Sequence, residues 1–252
     1  MIISRRILSL VLMKHFITRV LEIVGAIILL VLLFPFFLLA VLIVQVDSPG
    51  PVIFRQVRVG KGGKPFVLYK LRTMRKDADG NFPPHTQVND PRFSPVCRLI
   101  RSTGIDEVPQ LWNVLKGDMA FVGPRPELPR IVDTYTPEQK QVLKYRPGLF
   151  GISQLVLREG VDYRKKLRIE LAYYPKRSFV KDILILILTP LVLAQHTITR
   201  ILPFVENKRE YTDTFWFRYL ISATPDEVQK IISVEGSPKF AAEGGGSNAA
   251  GH

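Results

Sequence analysis

The sequence has few of the residues that build disulfide frameworks and zinc sites. Its 252 residues include one cysteine, Cys97, so no disulfide can form within the chain, and this usage is compatible with a reducing compartment. The four histidines lie far apart, without the close pairs that zinc ligands show. We therefore expect neither a disulfide-stabilised fold nor a zinc centre, and we expect Cys97 to be a small buried core residue.

Acidic residues are scarce too. Asp and Glu number 22 against 35 Lys and Arg, which gives a formal net charge of +13. Such an excess favours an anionic partner: nucleic acid, a membrane surface or a phosphate-rich substrate. The sequence has no RNA-binding signature, no recognition-helix pattern and no interleaving of aromatic and basic residues. We therefore expect no nucleic-acid partner, and the next feature favours the membrane.

Residues 23–44, "IVGAIILLVLLFPFFLLAVLIV", form a long run without a charge. As one helix these residues would reach about 33 Å, enough to cross a bilayer. The run is too long for a cleavable signal peptide, and no small-residue cleavage site follows it. A plain single-span anchor is the simplest interpretation.

Two details favour a different arrangement. Pro35 lies near the centre of the run, where it should kink or break a helix at Phe34–Pro35. Basic residues also flank the run equally: Arg5, Arg6, Lys14 and Arg19 precede it, and Arg55, Arg58, Lys61 and Lys64 follow it. The positive-inside rule keeps both flanks cytoplasmic. We therefore predict that residues 1–46 form a re-entrant helix–break–helix hairpin, which enters and leaves the membrane on one face.

The remaining chain predicts an α+β fold, a small and mostly helical cytoplasmic domain over residues 47–205. "PVIFRQVRV" and "PFVLYKLRTM" alternate around a "GKGG" turn, which is typical of a β-hairpin. Short helices are predicted over "CRLIRSTG", "PEQKQVLKY" and "PDEVQKIISV", and "RPGLFGISQLVL" is strand-like. Residues 206–252 form a C-terminal extension with a flexible glycine-rich tail, for which a role in homodimerisation or membrane contact is a hypothesis.

A second apolar run, residues 183–194, is twelve residues long and contains Pro190. This run is too short to span a bilayer. Because a basic and aromatic segment precedes it, we predict an amphipathic helix that lies in the membrane interface. A buried core helix is the alternative.

Two adjacent acids stand in the stretch "IDEVPQLWNVLKGD", residues 105–118. In the simplest interpretation Asp106 caps a helix, Glu107 stabilises its dipole, and Gly117 ends it. The apolar face of that helix would comprise Val108, Leu111, Trp112 and Leu115.

Arginines near these acids suggest a chemical role instead. Several stand beside proline or glycine corners or just before the acids: Arg98, Arg101, Arg125 and Arg146. Arginine suits bidentate phosphate binding. A carboxylate can attack phosphorus, and a second carboxylate can hold magnesium, so the set fits phosphoryl chemistry.

The chain resembles the bacterial monotopic phosphoglycosyl transferases, the sugar transferases that start glycan assembly on a polyprenyl phosphate carrier. The resemblance rests on the proline-broken apolar run, "DSPGPVIFRQVRVGKGGKPFVLYKLRTM", "IRSTGIDEVPQLWNVLKGDMAFVGPRPELP" and "YTPEQKQVLKYRPGLFG". It covers some three quarters of the chain, from about residue 14 to residue 205.

The resemblance implies an enzyme that transfers a sugar-1-phosphate from a UDP-sugar to polyprenyl (undecaprenyl) phosphate and releases UMP. Asp106 would be the nucleophile that forms a covalent phosphosugar–aspartate intermediate, and Glu107 would coordinate Mg²⁺ together with Asp106. Phosphate or substrate binding would fall to Lys70, Arg101, Arg125, Arg146 and Glu170, the last standing where the family commonly has aspartate.

The same resemblance implies a place in the cell and in a pathway. The catalytic domain would sit on the cytoplasmic face of the bacterial inner membrane, in contact with the phospholipid bilayer. The reaction would begin the assembly of an O-antigen, capsule, exopolysaccharide or glycoprotein glycan. The alternative is a non-catalytic membrane-associated protein that binds nucleotide sugar or lipid phosphate.

Overall fold

A computed structural model describes residues 2–74, 90–157, 163–201 and 211–233 of the chain. These residues are mostly helical, with two small two-stranded sheets. This confirms the predicted α+β class in its coarse form. The glycine-rich tail predicted to be flexible lies outside the described residues.

The N-terminal apolar segment forms one long helix, α1 (Ile2–Asp47), of 46 residues. It continues through Phe34 and Pro35, so the predicted break is not observed, and the re-entrant hairpin stays a prediction. Leu33 and Phe37, on either side of the proline, both pack against the neighbouring core. This packing holds both halves of the helix on the folded domain.

Most of α1 remains exposed, although the segment is apolar. Along its length a few small side chains are fully packed against the domain, namely Ala26, Ala40 and Val44. Within the described part of the chain, two helical segments are long and apolar enough to cross a membrane, Phe16–Asp47 and Phe179–Thr199.

The predicted hairpin is confirmed. Strand β1 (Ile53–Val59) pairs antiparallel with β2 (Pro65–Leu71), and Ile53 lies opposite Leu71. A second, parallel pair joins β3 (Ala120–Val122) to β4 (Gly148–Phe150). Only the first part of "RPGLFGISQLVL" is therefore a strand; the chain turns into a helix at Ile152 because Ile152, Leu155 and Val156 are buried together on one helical face.

Eight shorter helices follow α1 within the described residues. They are α2 (Pro95–Thr103), α3 (Gln110–Lys116), α4 (Pro129–Val132), α5 (Ile152–Val156), α6 (Tyr163–Tyr173), α7 (Phe179–Ile201), α8 (Phe215–Ile221) and α9 (Pro225–Ile232). The helices predicted as α2 and α9 are confirmed, with Ser94 and Thr224 as their N-caps. "PEQKQVLKY" instead forms a 3₁₀ helix, Gln139–Lys144.

Helix α7 is longer than the apolar run that predicted it. It has 23 residues, with Pro190 inside it. One face is buried through Ile185 and Val192, while Ile187 and Leu191 are exposed. The helix therefore contributes to the core, and its exposed apolar face leaves the interfacial position a prediction.

The C-terminal helices belong to the main core rather than to a separate unit. Phe217, Leu220 and Ile221 of α8 are fully buried and cluster with Ile152 of α5. Tyr211 N also donates to Val156 O at 3.0 Å. Residues 211–233 thus complete the fold, although no local signal in the sequence connects them to it.

Candidate active site

The two adjacent acids lie on a tight link between α2 and α3. Gly104 ends α2 in the left-handed conformation (φ 77°), which favours glycine, and its N–H donates to Arg101 O. Residues Ile105–Glu107 then form one 3₁₀ turn, and α3 begins at Gln110. The predicted cap is therefore wrong: Asp106 precedes the helix by a full turn, and no side chain caps the start of α3.

Three cations from three different elements meet at this turn. Lys70 of β2 places Nζ 2.6 Å from Glu107 Oε1, and Arg125 places Nη1 3.9 Å from the same oxygen. Arg101 of α2 places Nη1 3.9 Å from Asp106 Oδ2. The structure thus brings together five of the predicted site residues.

The two carboxylates differ in their surroundings. Burial raises the pKa of Asp106 to about 6, although Lys70 and Arg101 act to lower it. Burial acts in the same direction on Glu107, but the closer Lys70 and Arg125 outweigh it and hold the pKa of Glu107 down to about 2. The cations therefore keep Glu107 ionised near neutral pH, and Asp106 is the more basic of the two acids.

Asn113 is a supporting residue that the sequence analysis missed. Its side chain is fully buried in α3, where Nδ2 donates to Val67 O at 2.7 Å and Oδ1 accepts from Tyr69 N at 3.2 Å. These bonds tie β2 to α3 and so set Lys70 beside Glu107. A polar residue between apolar neighbours in α3 was the available signal.

The apolar face predicted for α3 is partly confirmed. Val108 and Leu111 are buried, and Leu115 packs against the same cluster. Trp112 is 55% exposed, so its place on this face was wrong. The buried face of α3 is formed by Gln110, Leu111, Asn113 and Val114, and position 112 lies on the opposite side of the helix.

Arg146 lies elsewhere, beside the apolar helix. Its Nη1 is 2.9 Å from Glu22 Oε2, and the same oxygen accepts a 3.1 Å bond from Arg19. Arg19 also donates to Val114 O and Leu115 O, both at 2.7 Å. This group therefore joins α1 to the C-terminal end of α3.

Glu170 is also away from the acid pair. It is 4% exposed on α6, and its Oε1 accepts bonds from Ser153 Oγ at 2.6 Å and from Arg125 N at 3.1 Å. Burial raises the pKa of Glu170 to about 7. Glu170 thus touches the backbone of a site residue rather than the acids.

The acid pair could form part of a magnesium site. Among the described residues no cluster of three or more His, Cys, Asp or Glu side chains could hold a metal ion. Magnesium, however, is commonly bound by one or two carboxylates together with substrate phosphates. Two adjacent carboxylates within a cationic, phosphate-attracting site fit that pattern.

Comparison with known proteins places this arrangement in a family. Residues 13–196 match the family model described as "Bacterial sugar transferase". The chain is 41% identical over 179 residues to the UDP-glucose:undecaprenyl-phosphate glucose-1-phosphate transferase of Caulobacter vibrioides, covering 68% of this chain and 67% of that protein.

Further relatives differ in length. The chain is 40% identical over 173 residues to the "Uncharacterized sugar transferase EpsL" of Bacillus subtilis, covering 68% of this chain and 84% of that protein. It is 37% identical over 180 residues to the UDP-N-acetylgalactosamine-undecaprenyl-phosphate N-acetylgalactosaminephosphotransferase of Aeromonas hydrophila, covering 69% of this chain and 43% of that longer protein. With most of its length matched, the chain belongs to the bacterial sugar transferase family.

Proposed function

We propose that this protein transfers a sugar phosphate from a UDP-sugar to undecaprenyl phosphate at the start of glycan assembly. The observation that carries the proposal is the buried carboxylate of Asp106, set beside Glu107 and faced by cations from three elements. Relatives from Caulobacter vibrioides and Aeromonas hydrophila, named for this kind of transfer, support the donor and acceptor classes.

In the first proposed step Asp106 acts as a nucleophile. A carboxylate oxygen attacks the phosphorus bonded to the sugar, an O–P bond forms, and the bond from that phosphorus to the bridging oxygen breaks. UMP leaves with the bridging oxygen, and a phosphosugar–aspartate remains. Lys70 and Arg101 favour the ionised form of Asp106, and a carboxylate that attacks in this form needs no separate base.

In the second proposed step the lipid acceptor releases the sugar phosphate. A phosphate oxygen of undecaprenyl phosphate attacks the same phosphorus, the bond to Asp106 breaks, and the carboxylate is regenerated. The product is an undecaprenyl diphosphate sugar. Atoms and charge balance over the two steps without an oxidant, a reductant or water.

The cations have separate proposed tasks. Arg101 lies beside the nucleophile, where it can bind the oxygens of the phosphoryl group under attack. Lys70 and Arg125 now neutralise Glu107, and both can turn to the diphosphate when it arrives. Glu107, with Asp106, would hold magnesium, which would neutralise charge on the transferring group when bound. Because Arg146 pairs with Glu22, we assign it to the support of α1.

Intact-protein mass spectrometry tests the covalent step. The purified enzyme is incubated with magnesium and a panel of UDP-sugars, without lipid, alongside Asp106→Asn. We expect a mass increase of one phosphosugar with the correct donor and none in the variant, because an amide cannot form the intermediate. UMP release is then measured with undecaprenyl phosphate present. If the wild-type protein binds donors but neither gains mass nor releases UMP, the non-catalytic alternative replaces the proposal.

We also propose that α1 stays on the cytoplasmic side at both ends. Just before the apolar run, Arg19 and Glu22 are bound by the domain, as described above. Just after α1, Arg72 donates to Pro51 O at 2.7 Å and to Ser48 Oγ at 3.2 Å. One folded domain that binds the chain on both sides of the apolar run favours one membrane face for both flanks.

Cysteine labelling tests this topology. In a Cys97→Ser background, Ser4→Cys and, separately, Ser247→Cys are exposed to a membrane-impermeant maleimide in intact cells. We expect no labelling of either position until the inner membrane is permeabilised. Labelling of Ser4→Cys in intact cells would mean that α1 crosses the membrane.

A further inference from the structure

The loop that carries Arg125 is fixed by its backbone on several sides. We call residues 123–127, "GPRPE", the Pro-Arg-Pro loop. Its polar backbone groups bond to β1, to the first and last residues of β4, and to the half-buried Arg58. The bonds are Gly123 N to Phe150 O at 3.1 Å, Gly148 N to Pro124 O at 3.0 Å, Val59 N to Glu127 O at 3.0 Å and Arg58 Nη1 to Pro126 O at 3.1 Å. The two prolines restrict the loop further, since each ring fixes φ.

A further backbone donor of this loop is the N–H of Arg125 itself. It donates to Glu170 Oε1, which lies on α6, 45 residues further along the chain. The same oxygen accepts from the hydroxyl of Ser153, and Glu170 is 4% exposed. Burying a carboxylate is costly in free energy. A buried carboxylate that accepts from one backbone N–H and one hydroxyl therefore needs a reason beyond stability.

Arg125 supplies that reason because its side chain reaches the acid pair. Its Nη1 lies 3.9 Å from Glu107 Oε1, where a substrate diphosphate would be bound. A long side chain is directed by its backbone, and a misplacement of about 1 Å at a reacting centre reduces rates about a hundredfold.

We propose that Glu170, supported by Ser153, is a positioning residue that directs the Arg125 guanidinium toward the acid pair by fixing the Arg125 backbone N–H. Glu170 itself does not touch the substrate. This inference rests on the proposed function, because its readout is UMP release from a UDP-sugar.

A double-mutant cycle separates positioning from general support of the fold. Glu170→Leu removes the acceptor at similar volume, and Arg125→Ala removes the group that it directs. Initial rates of UMP release are measured for both single variants, for the double variant and for the wild-type enzyme. We expect Glu170→Leu to lower kcat/KM at least tenfold in the wild-type background and less than threefold in the Arg125→Ala background.

Two further variants test whether the effect of Glu170 comes from positioning. Glu170→Gln keeps an oxygen acceptor and should retain activity within about threefold of the wild-type enzyme. Tyr173→Phe is the matched control, since it removes a buried 2.7 Å bond to Asp182 from the same helix without touching the loop. Its effect should be small and equal in both backgrounds. If Glu170→Leu fails to fold, Ser153→Ala takes its place in the cycle.

The outcomes are distinct. A loss from Glu170→Leu that is equally large with and without Arg125 would overturn the inference, and so would a loss below threefold in the wild-type background. A wild-type enzyme that releases no UMP from any donor in the panel would instead refute the proposed function, and the positioning role would fail with it.

Discussion

The raised pKa of the buried Glu170 carboxyl leads to a prediction about stability. At high pH this group should destabilise the folded protein, although its proposed role supports activity. Burial raises its pKa from the ordinary 4.5 to about 7, against the bonds from Ser153 and the Arg125 N–H, which lower it. The folded state therefore binds this proton more tightly than the unfolded state does. The contribution of Glu170 to folding is most favourable below about pH 4.5 and is lost as the pH rises toward 7.

The magnitude follows from the size of the shift. One pKa unit corresponds to about 1.4 kcal/mol, so a shift of about 2.5 units amounts to roughly 3 kcal/mol when the carboxyl is fully ionised. Between pH 5 and pH 8 most of this difference is lost, about 2–3 kcal/mol. Glu170→Gln removes the titration. Relative to the wild-type protein, the variant should gain that amount of stability between pH 5 and pH 8.

The assay is thermal unfolding of both proteins in one detergent at several pH values from 5 to 8. We expect the melting temperature of Glu170→Gln, relative to the wild-type protein, to rise by about 5–10 °C over this range. Any constant effect of the new amide cancels, because only the change with pH is compared. Tyr174, which faces Glu170, has its pKa raised well above 10 by burial and stays neutral throughout.

An exposed carboxylate provides a control. The Thr224 backbone N–H and hydroxyl lower the pKa of Glu227, so its contribution is present above its ordinary pKa and is lost only at lower pH. Between pH 5 and pH 8 Glu227→Gln should therefore keep a nearly constant offset from the wild-type protein. If Glu170→Gln keeps the same offset from the wild-type protein at pH 5 and pH 8, the pKa of Glu170 is not raised and the reasoning is refuted.

Two further predictions concern the acid pair and the apolar helix. Lys70→Gln removes a cation that lowers the pKa of Asp106. In the pH profile of kcat/KM for the UDP-sugar, the acidic limb should therefore move to higher pH. Arg19→Gln removes two charge-assisted bonds to the last carbonyls of α3, each worth about 1.5–3 kcal/mol, and should destabilise the protein by roughly 3–6 kcal/mol in thermal unfolding.

Each of these predictions has a matched control. Lys70→Arg keeps the cation, so its acidic limb should stay near that of the wild-type enzyme. Lys116→Gln breaks a pair with Asp118 at the same end of α3, but its side chain is 40% exposed, so the loss should stay within about 0.5 kcal/mol. If the acidic limb does not move in Lys70→Gln, the argument about the pKa of Asp106 is wrong. If Arg19→Gln and Lys116→Gln lose equal stability, the argument about the support of α3 by Arg19 is wrong.

Local patterns were sufficient to predict much of this site. The alternation around "GKGG" gave the β1–β2 hairpin, which carries Lys70, and Gly104 and Gly117 mark real helix ends. The meeting of Lys70, Arg101 and Arg125 at the acids followed from the family resemblance, since these residues come from three separate elements. What the local pattern missed was the 3₁₀ turn that replaces the expected cap.

Contacts between distant parts of the chain were beyond such patterns. Glu22 and Arg146 are 124 positions apart, and Ser153 and Glu170 are 17 positions apart on different helices. Each member of these pairs has an ordinary local setting: a charge at the edge of an apolar run, or a single acid in a basic helix. Only the packing of the elements brings the partners together, so local patterns could not separate Arg146 from Arg101 and Arg125.

The apolar helix is also part of the site rather than an attachment to it. The acids lie between α2 and α3, and both helices pack on α1: Cys97 and Ile100 cluster with Ala40 and Val44, while Leu111 and Val114 of α3 cluster with Ala26. Removing α1 would expose these side chains and release the end of α3 that Arg19 holds. A fragment without α1 should therefore lose the geometry of the acid pair, because the same helix that presents an exposed apolar surface also supports the two carboxylates.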